Sequence, residues 1–443
     1  MPPRLQTHLL ASAADLRAVL VEDGADGPRL PERTLIPAPG ETAIVAVSRL
    51  LRADFEVSWP VLETHLREDR AADGEVVIDA LVVCEPAPAG WAPPAGVRWQ
   101  PSAEVAPAAP VSLRPRLDTW LGELRTGADP PALRPRWSRP GWHARATAWM
   151  SAQLERAGTP PVGPIEVRRL WGLSALLYAP TRSGGAWFKA VFPPFAHEPA
   201  VTQLLESAAP GTVPRVLAIE PDEGWLLLEH VARAEQPSTD EDALERSIRL
   251  LVKAQRSLMG REPELVGLGC PRRPLSSLAA EVARVTGMSP PLPGVNLPAE
   301  GLALLVGWVR ERAAWLAGVG LPDVVIHGDF HTGNLIVTDT GPVIIDWSDT
   351  AIAHPLLDLA ALWEAVPDPA QRAGHWSAWL DALAPLGDVE SLRGELATIE
   401  ALGAAYQVVT YADIVRNLEP ANHYQCSDGV EHFLDLLASY VPG

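Results

Sequence analysis

Asp329, Asn334 and Asp346 are three residues whose types and spacing could do chemistry together. An Asp-Thr-Gly turn between two apolar runs separates the last two and predicts a β-hairpin. If Thr338 pairs with Pro342 across this turn, Asn334 and Asp346 lie directly opposite each other, with Cβ atoms about 5 Å apart. Both residues offer oxygen ligands of the kind that Mg²⁺ prefers. The sequence therefore predicts a metal site on the hairpin, with the Asp329 carboxylate beside it.

Phosphoryl transfer uses this combination of groups. Metal ions neutralise charge between the phosphates, and a carboxylate accepts the proton of the attacking hydroxyl. His327, Asp329 and Asn334 have the spacing of the H-R-D-x-x-x-x-N loop of protein kinases, in which the Asn holds a metal ion. Asp346 then takes the place of the metal-binding Asp in D-F-G, followed by Trp347. The pattern predicts Asp329 as a catalytic base and Asn334 and Asp346 as metal ligands, against the weaker alternative of a chance hairpin with polar tips.

The stretches HGDFHTGN, IIDW and DWSDTAIAHPLLDLAAL resemble the aminoglycoside phosphotransferase family, which is related to the protein kinases. The resemblance covers residues 161–440 and implies an α+β, bilobal, kinase-like fold with a β-rich N-lobe and an α-rich C-lobe. It also implies that Asp358 anchors the catalytic loop and that His327 is structural. His331 stands where protein kinases acting on serine or threonine carry a lysine, and this departure favours a small-molecule substrate.

A lysine on a strand of the small lobe contacts the ATP phosphates in kinases. Lys189, one of two lysines in the chain, lies in the apolar run AWFKAV over residues 186–191. An isolated lysine there is costly to bury, although a side chain that reaches solvent at a strand end is the alternative. Glu198, at the start of the next helical run, is its predicted ion-pair partner, with Glu206 as the alternative.

The other predicted nucleotide contacts lie on either side of this strand. Gly172 and Ser174, in a turn between strand-like runs, are expected to face the phosphates, although this segment lacks a G-x-G-x-x-G pattern. Glu229 and His230 follow a strand and are expected to form the hinge whose backbone meets the adenine. None of these residues precedes Pro160, so a chain beginning near that residue is expected to keep nucleotide binding.

The helices after the catalytic loop are expected to hold the substrate, because they form the substrate pocket in the resembled family together with the insert after the hinge. Each candidate there could instead have a surface or core role. The candidates are Asp349, Glu364, Tyr406, Gln407, Tyr411 and Asp413. An amine beside such carboxylates would gain charge-assisted hydrogen bonds, so the expected acceptor is an amino sugar, an aminoglycoside or a similar cationic alcohol. The rival interpretation is a neutral pocket with solvated carboxylates.

Proline-rich stretches punctuate the chain and suggest its domain organisation. Short runs of β-branched residues at Thr42–Val47 and Val76–Val83 predict strands, and Leu113–Glu123 and His143–Arg156 read as helices. The predicted domains are an α/β N-terminal domain over 1–110, a helical linker over 111–160, the N-lobe over 161–232 and the C-lobe over 233–443.

The N-terminal domain, with its segment GVRWQPSAEV, faintly resembles a Nudix-type fold. The acidic helix motif of Nudix hydrolases is absent, and Leu62–Asp69 is the nearest segment to it. A non-catalytic cap or an oligomerisation module is therefore expected. The oligomeric state is left open.

Composition bounds the remaining possibilities. The net charge of −19 argues against nucleic acid or an anionic membrane as the main partner. The three cysteines, Cys84, Cys270 and Cys426, have no zinc-site or disulfide spacing, so a cytoplasmic location is expected. No run suggests a signal peptide or a membrane span.

The sequence as a whole predicts an ATP- and Mg²⁺-dependent kinase that phosphorylates a small molecule. The first alternative is a nucleotide-binding pseudokinase whose N-terminal domain is the output. Lys189, Asp329, Asn334 and Asp346 argue against it, because a pseudokinase has no need of a complete catalytic set. A protein kinase is disfavoured by His331 and by the lack of an A-P-E segment after Asp346.

Overall fold

The computed structural model describes most of the chain as two compact units. The described residues are 4–25, 27–70, 76–104, 109–234, 240–287, 295, 298–363, 366 and 368–441. The first unit takes in Met1–Ser183, Phe188–Ala190 and Glu419–Asn422. The second takes in Gly184–Trp187, Val191–Leu418 and His423–Gly443.

Strands dominate the first unit. In chain order its elements are β1 (Arg4–Leu10), β2 (Ala18–Gly24), β3 (Gly27–Arg29), β4 (Glu32–Leu35), α1 (Ala43–Phe55), β5 (Val61–Arg70), β6 (Val76–Cys84), β7 (Val97–Pro101), α2 (Arg114–Thr126), α3 (Trp142–Arg156), β8 (Glu166–Leu170) and β9 (Ser174–Ala179). One sheet has the order β4-β1-β6-β5, in which β1 and β6 are parallel, and a second has the order β3-β2-β7. The likeness to a Nudix fold stays a prediction.

Helix α1 lies where the sequence predicted a strand at Thr42–Val47, and that prediction is wrong. Ile44, Val47, Leu51 and Phe55 are buried and recur with the helical period, so they place one apolar face against the core of the first sheet. Burial of this face outweighs the strand preference of the β-branched residues. By contrast, β6 confirms the strand predicted at Val76–Val83.

Helix α3 packs against the strand that carries Lys189. The Trp142 and Trp149 rings lie 6.1 Å and 5.9 Å from the ring of Phe188, which is fully buried. Just before the helix, the Trp137 indole N–H donates to the carbonyl of Trp171, 2.8 Å away, in the β8–β9 turn. The predicted linker over 111–160 thus packs on the strand that carries Lys189 and on the β8–β9 turn, both of which were expected to contact the nucleotide.

Helices dominate the second unit. Its elements are α4 (Glu198–Ala208), β11 (Val216–Glu220), β12 (Trp225–Glu229), α5 (Asp240–Ser257), α6 (Glu262–Gly267), α7 (Leu275–Thr286), α8 (Ala299–Gly318), β13 (Val324–Ile326), β14 (Leu335–Thr338), β15 (Gly341–Ile344), β16 (Ala351–Ala353), α9 (Leu359–Trp363), α10 (Pro369–Leu383), α11 (Leu396–Asn417) and α12 (Ser427–Tyr440). Strand β10 (Ala186–Val191) has residues in both units. The predicted α+β class, β-rich and then α-rich, is confirmed.

Candidate active site

The β14–β15 hairpin has a shorter turn than the sequence suggested. Thr338 pairs with Gly341 and Val337 with Pro342, so the predicted pairing of Thr338 with Pro342 is wrong by one residue. The Thr338 hydroxyl donates to the Gly341 carbonyl at 2.8 Å and accepts from the Thr340 N–H at 3.2 Å. These bonds close a two-residue turn, and Gly341 has a φ of 140°, which suits glycine.

The corrected register changes what faces Asn334. The Ile345 N–H donates to the Asn334 carbonyl at 2.9 Å, so Ile345 lies across from Asn334, and the predicted direct opposition of Asp346 is wrong. Asp346 follows the end of the strand with a left-handed φ of 64°. Its Oδ1 accepts a hydrogen bond from the Ser348 hydroxyl at 2.7 Å. The assignment of Asn334 and Asp346 as metal ligands stays a prediction.

The side chain of Asp358 holds the start of the catalytic loop (His327–Asn334) by accepting hydrogen bonds from the loop backbone. The fully buried Asp358 carboxylate accepts the N–H of His327 at 3.1 Å and that of Gly328 at 2.6 Å. Burial raises the pKa of this carboxyl to about 7, although the two backbone hydrogen bonds act to lower it. The contacts pin the loop at the two residues before Asp329.

His327 links the catalytic loop to the hairpin. Its Nδ1 accepts from the Asp329 N–H at 3.3 Å, so the neutral ring carries its proton on Nε2, 3.0 Å from the Ile345 carbonyl. The ring lies between Phe330 and Trp347, with centroid distances of 6.0 Å and 4.8 Å. Burial lowers the pKa of His327 and keeps this ring neutral.

Gly328 and Gln407 complete the anchoring of the loop. Gly328 has a φ of 85°, and a Cβ atom there would lie 2.1 Å from the Asp349 carbonyl oxygen, so only glycine fits. The Gly328 carbonyl accepts a 2.7 Å hydrogen bond from the buried Gln407 side chain. Gln407 therefore contacts the loop backbone, and Asp349 lies against the residue before Asp329.

The Asp329 carboxylate is held on one oxygen. The Asn334 side-chain N–H₂ donates to the Asp329 carbonyl at 2.9 Å and to its Oδ2 at 3.2 Å. His331 Nε2 lies 3.4 Å from the same Oδ2. Oδ1 accepts no hydrogen bond from the residues that the structure describes. The Asp329 side chain is 37 % exposed, so Oδ1 is available to a bound molecule.

Lys189 and Glu198 lie on the elements that the sequence assigned to them. Lys189 is in β10, and Glu198 is the first residue of α4, with 1 % of its surface exposed. Their ion pair stays a prediction. His197 precedes Glu198 and lies near the backbone of Thr350 and Ser348, and burial lowers the pKa of its imidazole to about 4. Sequence reasoning missed this link between the start of α4 and the segment after Asp346.

The β8–β9 turn is tied down by side chains. Ser174 is buried, and its hydroxyl accepts a 2.7 Å hydrogen bond from the Trp171 indole. The Arg169 guanidinium lies 3.8 Å from the centroid of the same indole. Gly172 is buried as well. A phosphate contact from this turn would therefore come from its backbone or from the hydroxyl proton of Ser174, and the predicted role stays a prediction.

At the predicted hinge, the backbone donors are already used. The Glu229 N–H donates to the Arg215 carbonyl at 2.9 Å, and the His230 N–H donates to the Gly185 carbonyl at 3.0 Å. An adenine could meet only the carbonyls of these two residues. The Trp187 indole N–H donates to His230 Nδ1 at 2.9 Å, a contact that sequence reasoning missed.

The predicted substrate residues have different surroundings. Tyr406 is 2 % exposed, and burial raises the pKa of its phenol to about 12. Tyr411 stacks on Phe433 with ring centroids 5.5 Å apart. Asp349 Oδ2 lies 3.3 Å from the oxygen of the Ser348 hydroxyl, whose one proton is donated to Asp346 over the shorter distance. Glu364 lies outside the described residues.

Asp413 already has two cationic neighbours. Its Oδ1 accepts a 2.9 Å hydrogen bond from Arg284, and Arg273 lies 3.7 Å from Oδ2. Arg273 also donates to the Thr410 hydroxyl at 2.8 Å. Sequence reasoning missed both arginines, since they precede Asp413 by more than a hundred residues. The two arginines offset the negative charge of Asp413, which was expected to attract an amine.

Family comparison decides the class of this site. Residues 186–394 match the model of the phosphotransferase enzyme family, APH. This match covers a little less than half of the chain. The matched residues include β10, the catalytic loop and the Asp346 segment, so the predicted resemblance to this family and the kinase-like fold are confirmed, and the match supports an enzyme of the phosphotransferase type. No curated protein sequence matches the chain.

Solved structures with a similar fold include several kinases. A choline/ethanolamine kinase family protein from Mesorhizobium loti is 22 % identical with a TM-score of 0.46, over 68 % of this chain and 99 % of that one. Choline kinase LicA from Streptococcus pneumoniae is 15 % identical with a TM-score of 0.47, over 67 % of this chain and 100 % of that one. A macrolide 2′-phosphotransferase type I is 18 % identical with a TM-score of 0.44, over 63 % and 96 %. Likenesses this distant say nothing about the acceptor.

Two further predictions concern membrane-spanning segments and the three cysteines. Within the described ranges no helix is long and apolar enough to cross a membrane. Cys84, Cys270 and Cys426 are buried free thiols.

Proposed function

We propose that this phosphotransferase uses ATP and Mg²⁺ to phosphorylate a hydroxyl group of a small molecule, with Asp329 as the catalytic base. The observation that carries the proposal is the environment of Asp329. Its Oδ2 is held by Asn334 at 3.2 Å, and its side chain is 37 % exposed on a loop anchored by Asp358. A general base needs this combination of a fixed position and an accessible oxygen.

In the proposed reaction, Asp329 Oδ1 orients the acceptor hydroxyl and takes its proton. The acceptor oxygen forms a bond to the γ-phosphorus of ATP, and the bond between that phosphorus and the β–γ bridging oxygen breaks. The products are a phosphate ester and ADP, and the proton passes from Asp329 to solvent. Most of the catalytic effect in such reactions comes from positioning and electrostatics, which is consistent with the many contacts that fix the loop backbone.

Asn334 and Asp346 fit a hard cation. The Asn334 amide nitrogen is used toward Asp329, so its oxygen points away, and it accepts no hydrogen bond from the described part of the chain. Asp346 contributes a carboxylate oriented by Ser348. Among the described residues no group of three or more His, Cys, Asp or Glu side chains could hold a metal. The proposed protein ligands are thus one amide and one carboxylate, and Mg²⁺ often takes few protein ligands beside phosphates and water. When bound, Mg²⁺ neutralises phosphate charge.

Lys189 and Trp187 are the proposed nucleotide contacts on β10. Alternate residues of a strand share a face, so the Trp187 indole lies on the same face as the Lys189 ammonium. The hydrogen bond from Trp187 to His230 fixes the indole plane. We propose that Lys189 contacts the phosphates, with Glu198 as its partner, and that the indole stacks on the nucleobase.

The proposed acceptor remains an amino sugar, an aminoglycoside or a similar cationic alcohol. Of the carboxylates named for it, Asp413 is engaged by Arg273 and Arg284, whereas Asp349 lies against Gly328 of the catalytic loop, close to Asp329. Recognition of an amine through Asp349 should weaken as ionic strength rises, because salt screens charge pairs near the surface.

One experiment tests the function. The purified protein is given ATP and Mg²⁺ with a panel of aminoglycosides, amino sugars, amino alcohols, neutral sugars and hydroxy acids, and ADP release is followed together with the ³¹P NMR signal of a phosphate ester. The deoxy analogue of each active compound is the matched control. A hydroxyl-dependent ester supports the proposal. Binding of ATP without transfer to any acceptor would instead favour the nucleotide-binding regulatory module.

A further inference from the structure

His331 lies beside the catalytic carboxylate in a defined orientation. Its Nε2 is 3.4 Å from Asp329 Oδ2, which is also the oxygen that Asn334 approaches. Its Nδ1 accepts a 3.0 Å hydrogen bond from the Gly333 N–H. The side chain is 37 % exposed, so its orientation comes from these contacts and not from burial in a core.

The contact with Gly333 determines which ring nitrogen carries the proton. A nitrogen that accepts an N–H must present its lone pair, so Nδ1 is unprotonated and the neutral imidazole carries its proton on Nε2. That proton is on the side that faces Asp329 Oδ2. Hydrogen bonds at catalytic groups are often long before substrates bind and shorten in the complex, so 3.4 Å is a distance from which a hydrogen bond can form.

Gly333 keeps the space that this ring needs. A Cβ atom at position 333 would lie 2.6 Å from His331 Cε1 and 2.9 Å from Nδ1, closer than side-chain carbons pack. Gly333 does not have a positive φ, so an alanine at this position would contact the imidazole ring without straining the backbone. Gly333 therefore gives a means of displacing the imidazole without touching its chemistry.

We propose that His331 is a positioning residue for the catalytic base: its Nε2–H donates to Asp329 Oδ2 and, together with Asn334, fixes the carboxylate so that Oδ1 points to the acceptor hydroxyl. This inference rests on the proposed kinase function. It assigns two protein donors to one carboxylate oxygen and leaves the other for the substrate. It also explains why a glycine stands two residues after His331.

Substitutions at His331 test the proposal through the split between kcat and KM. His331→Ala should lower kcat by about tenfold, the effect of losing one orienting hydrogen bond, with KM for ATP within about twofold of the original. His331→Gln can place an amide N–H near the position of Nε2 and should recover most of kcat. His331→Asn is too short and should not. His423→Ala, at another partly exposed histidine, is the matched control and should leave both constants unchanged.

Gly333→Ala supplies the independent arm. It should lower kcat as His331→Ala does, and adding it to His331→Ala should cost nothing more, because both changes remove the same contact. Full additivity of the two changes, or a kcat for His331→Ala equal to that of the unaltered protein, would overturn the proposal.

A structural measurement separates this inference from the function. The ¹⁵N NMR spectrum should show the Nε2–H tautomer for His331, assigned by its absence in His331→Gln, and a crystal structure of His331→Ala should show the Asp329 carboxylate rotated. Failure of the function appears in the unaltered protein as no phosphate transfer. Failure of the inference appears as the other tautomer or as an unmoved Asp329 side chain, whether or not transfer occurs.

Discussion

Glu419 belongs to a buried charge network whose loss should be costly. Its carboxylate accepts hydrogen bonds from Arg116 at 2.5 Å and 2.9 Å and from Arg134 at 2.9 Å and 3.1 Å. Arg116 also bonds to Glu63, and Arg134 to Glu123 at 2.7 Å. Glu419 is 4 % exposed, and although it lies between α11 and α12 in sequence, it is part of the first unit.

Glu419→Gln keeps the shape of the side chain but removes its charge. Two guanidinium groups, with side chains 2 % and 0 % exposed, then lose a shared counter-ion. Breaking a buried ion pair by removing one partner costs about 3–5 kcal/mol, and the remaining carboxylates of Glu63 and Glu123 should hold the loss near the lower end. We therefore expect the free energy of unfolding to fall by about 3 kcal/mol.

The assay is urea unfolding followed by tryptophan fluorescence and circular dichroism. Glu390→Gln, which removes an exposed carboxylate paired with Arg393, is the matched control and should give no measurable change. Burial raises the pKa of Glu419, but the bonds from Arg116 and Arg134 outweigh it, so the net pKa is lowered. The difference between the unaltered protein and Glu419→Gln should thus be present at neutral pH and shrink as the pH falls below about 4. A loss under about 1 kcal/mol at pH 7 would refute the reasoning.

Three further predictions concern the metal, the loop anchor and α3. Asn334→Ala and Asp346→Asn should each raise the Mg²⁺ concentration for half-maximal rate, measured at fixed ATP, by on the order of tenfold. If this Mg²⁺ concentration is unchanged in a variant, the substituted residue is not a metal ligand. Burial raises the Asp358 pKa from 3.8 to about 7, so the folded state favours the neutral carboxyl, and the contribution of Asp358 to the free energy of unfolding should fall as pH rises from 4 to 7. In urea titrations, the stability of the unaltered protein relative to Asp358→Asn should therefore fall over this pH range. A chain beginning at Pro160 lacks the two tryptophans of α3 that cover Phe188. Contrary to the expectation from sequence, its ATP binding measured by calorimetry should therefore be weaker by at least about tenfold. Undiminished binding would show that α3 is dispensable.

Local patterns in the sequence predicted much of the site. The apolar run around Lys189 coincides with β10, and the helix predicted at Glu198 begins at that residue. The spacing of His327, Asp329 and Asn334 predicted a catalytic loop, because a motif of fixed spacing can be read directly from the sequence. The family match over residues 186–394 agrees with these local signals.

Features that depend on competition between local and distant contacts could not be predicted. The hairpin register turned on the side-chain hydrogen bonds of Thr338, which stabilise a two-residue turn over the expected three-residue one. Helix α1 replaced a strand because its apolar face packs on a sheet formed by distant segments. Asp413 contacts Arg273, and Glu419 contacts Arg116. The partners in each pair are far apart in sequence, and no periodic sequence pattern predicts such pairs.

The most direct test of the proposed function is Asp329→Asn. The amide has nearly the same shape, so Asn334 and the loop anchor at Asp358 should keep their places, and calorimetric ATP binding should stay within about twofold. Loss of the base should reduce the rate of phosphate transfer to the identified acceptor by on the order of 10²-fold or more, measured in a single turnover. Transfer by Asp329→Asn at close to the original rate would contradict the assignment of Asp329 as the catalytic base.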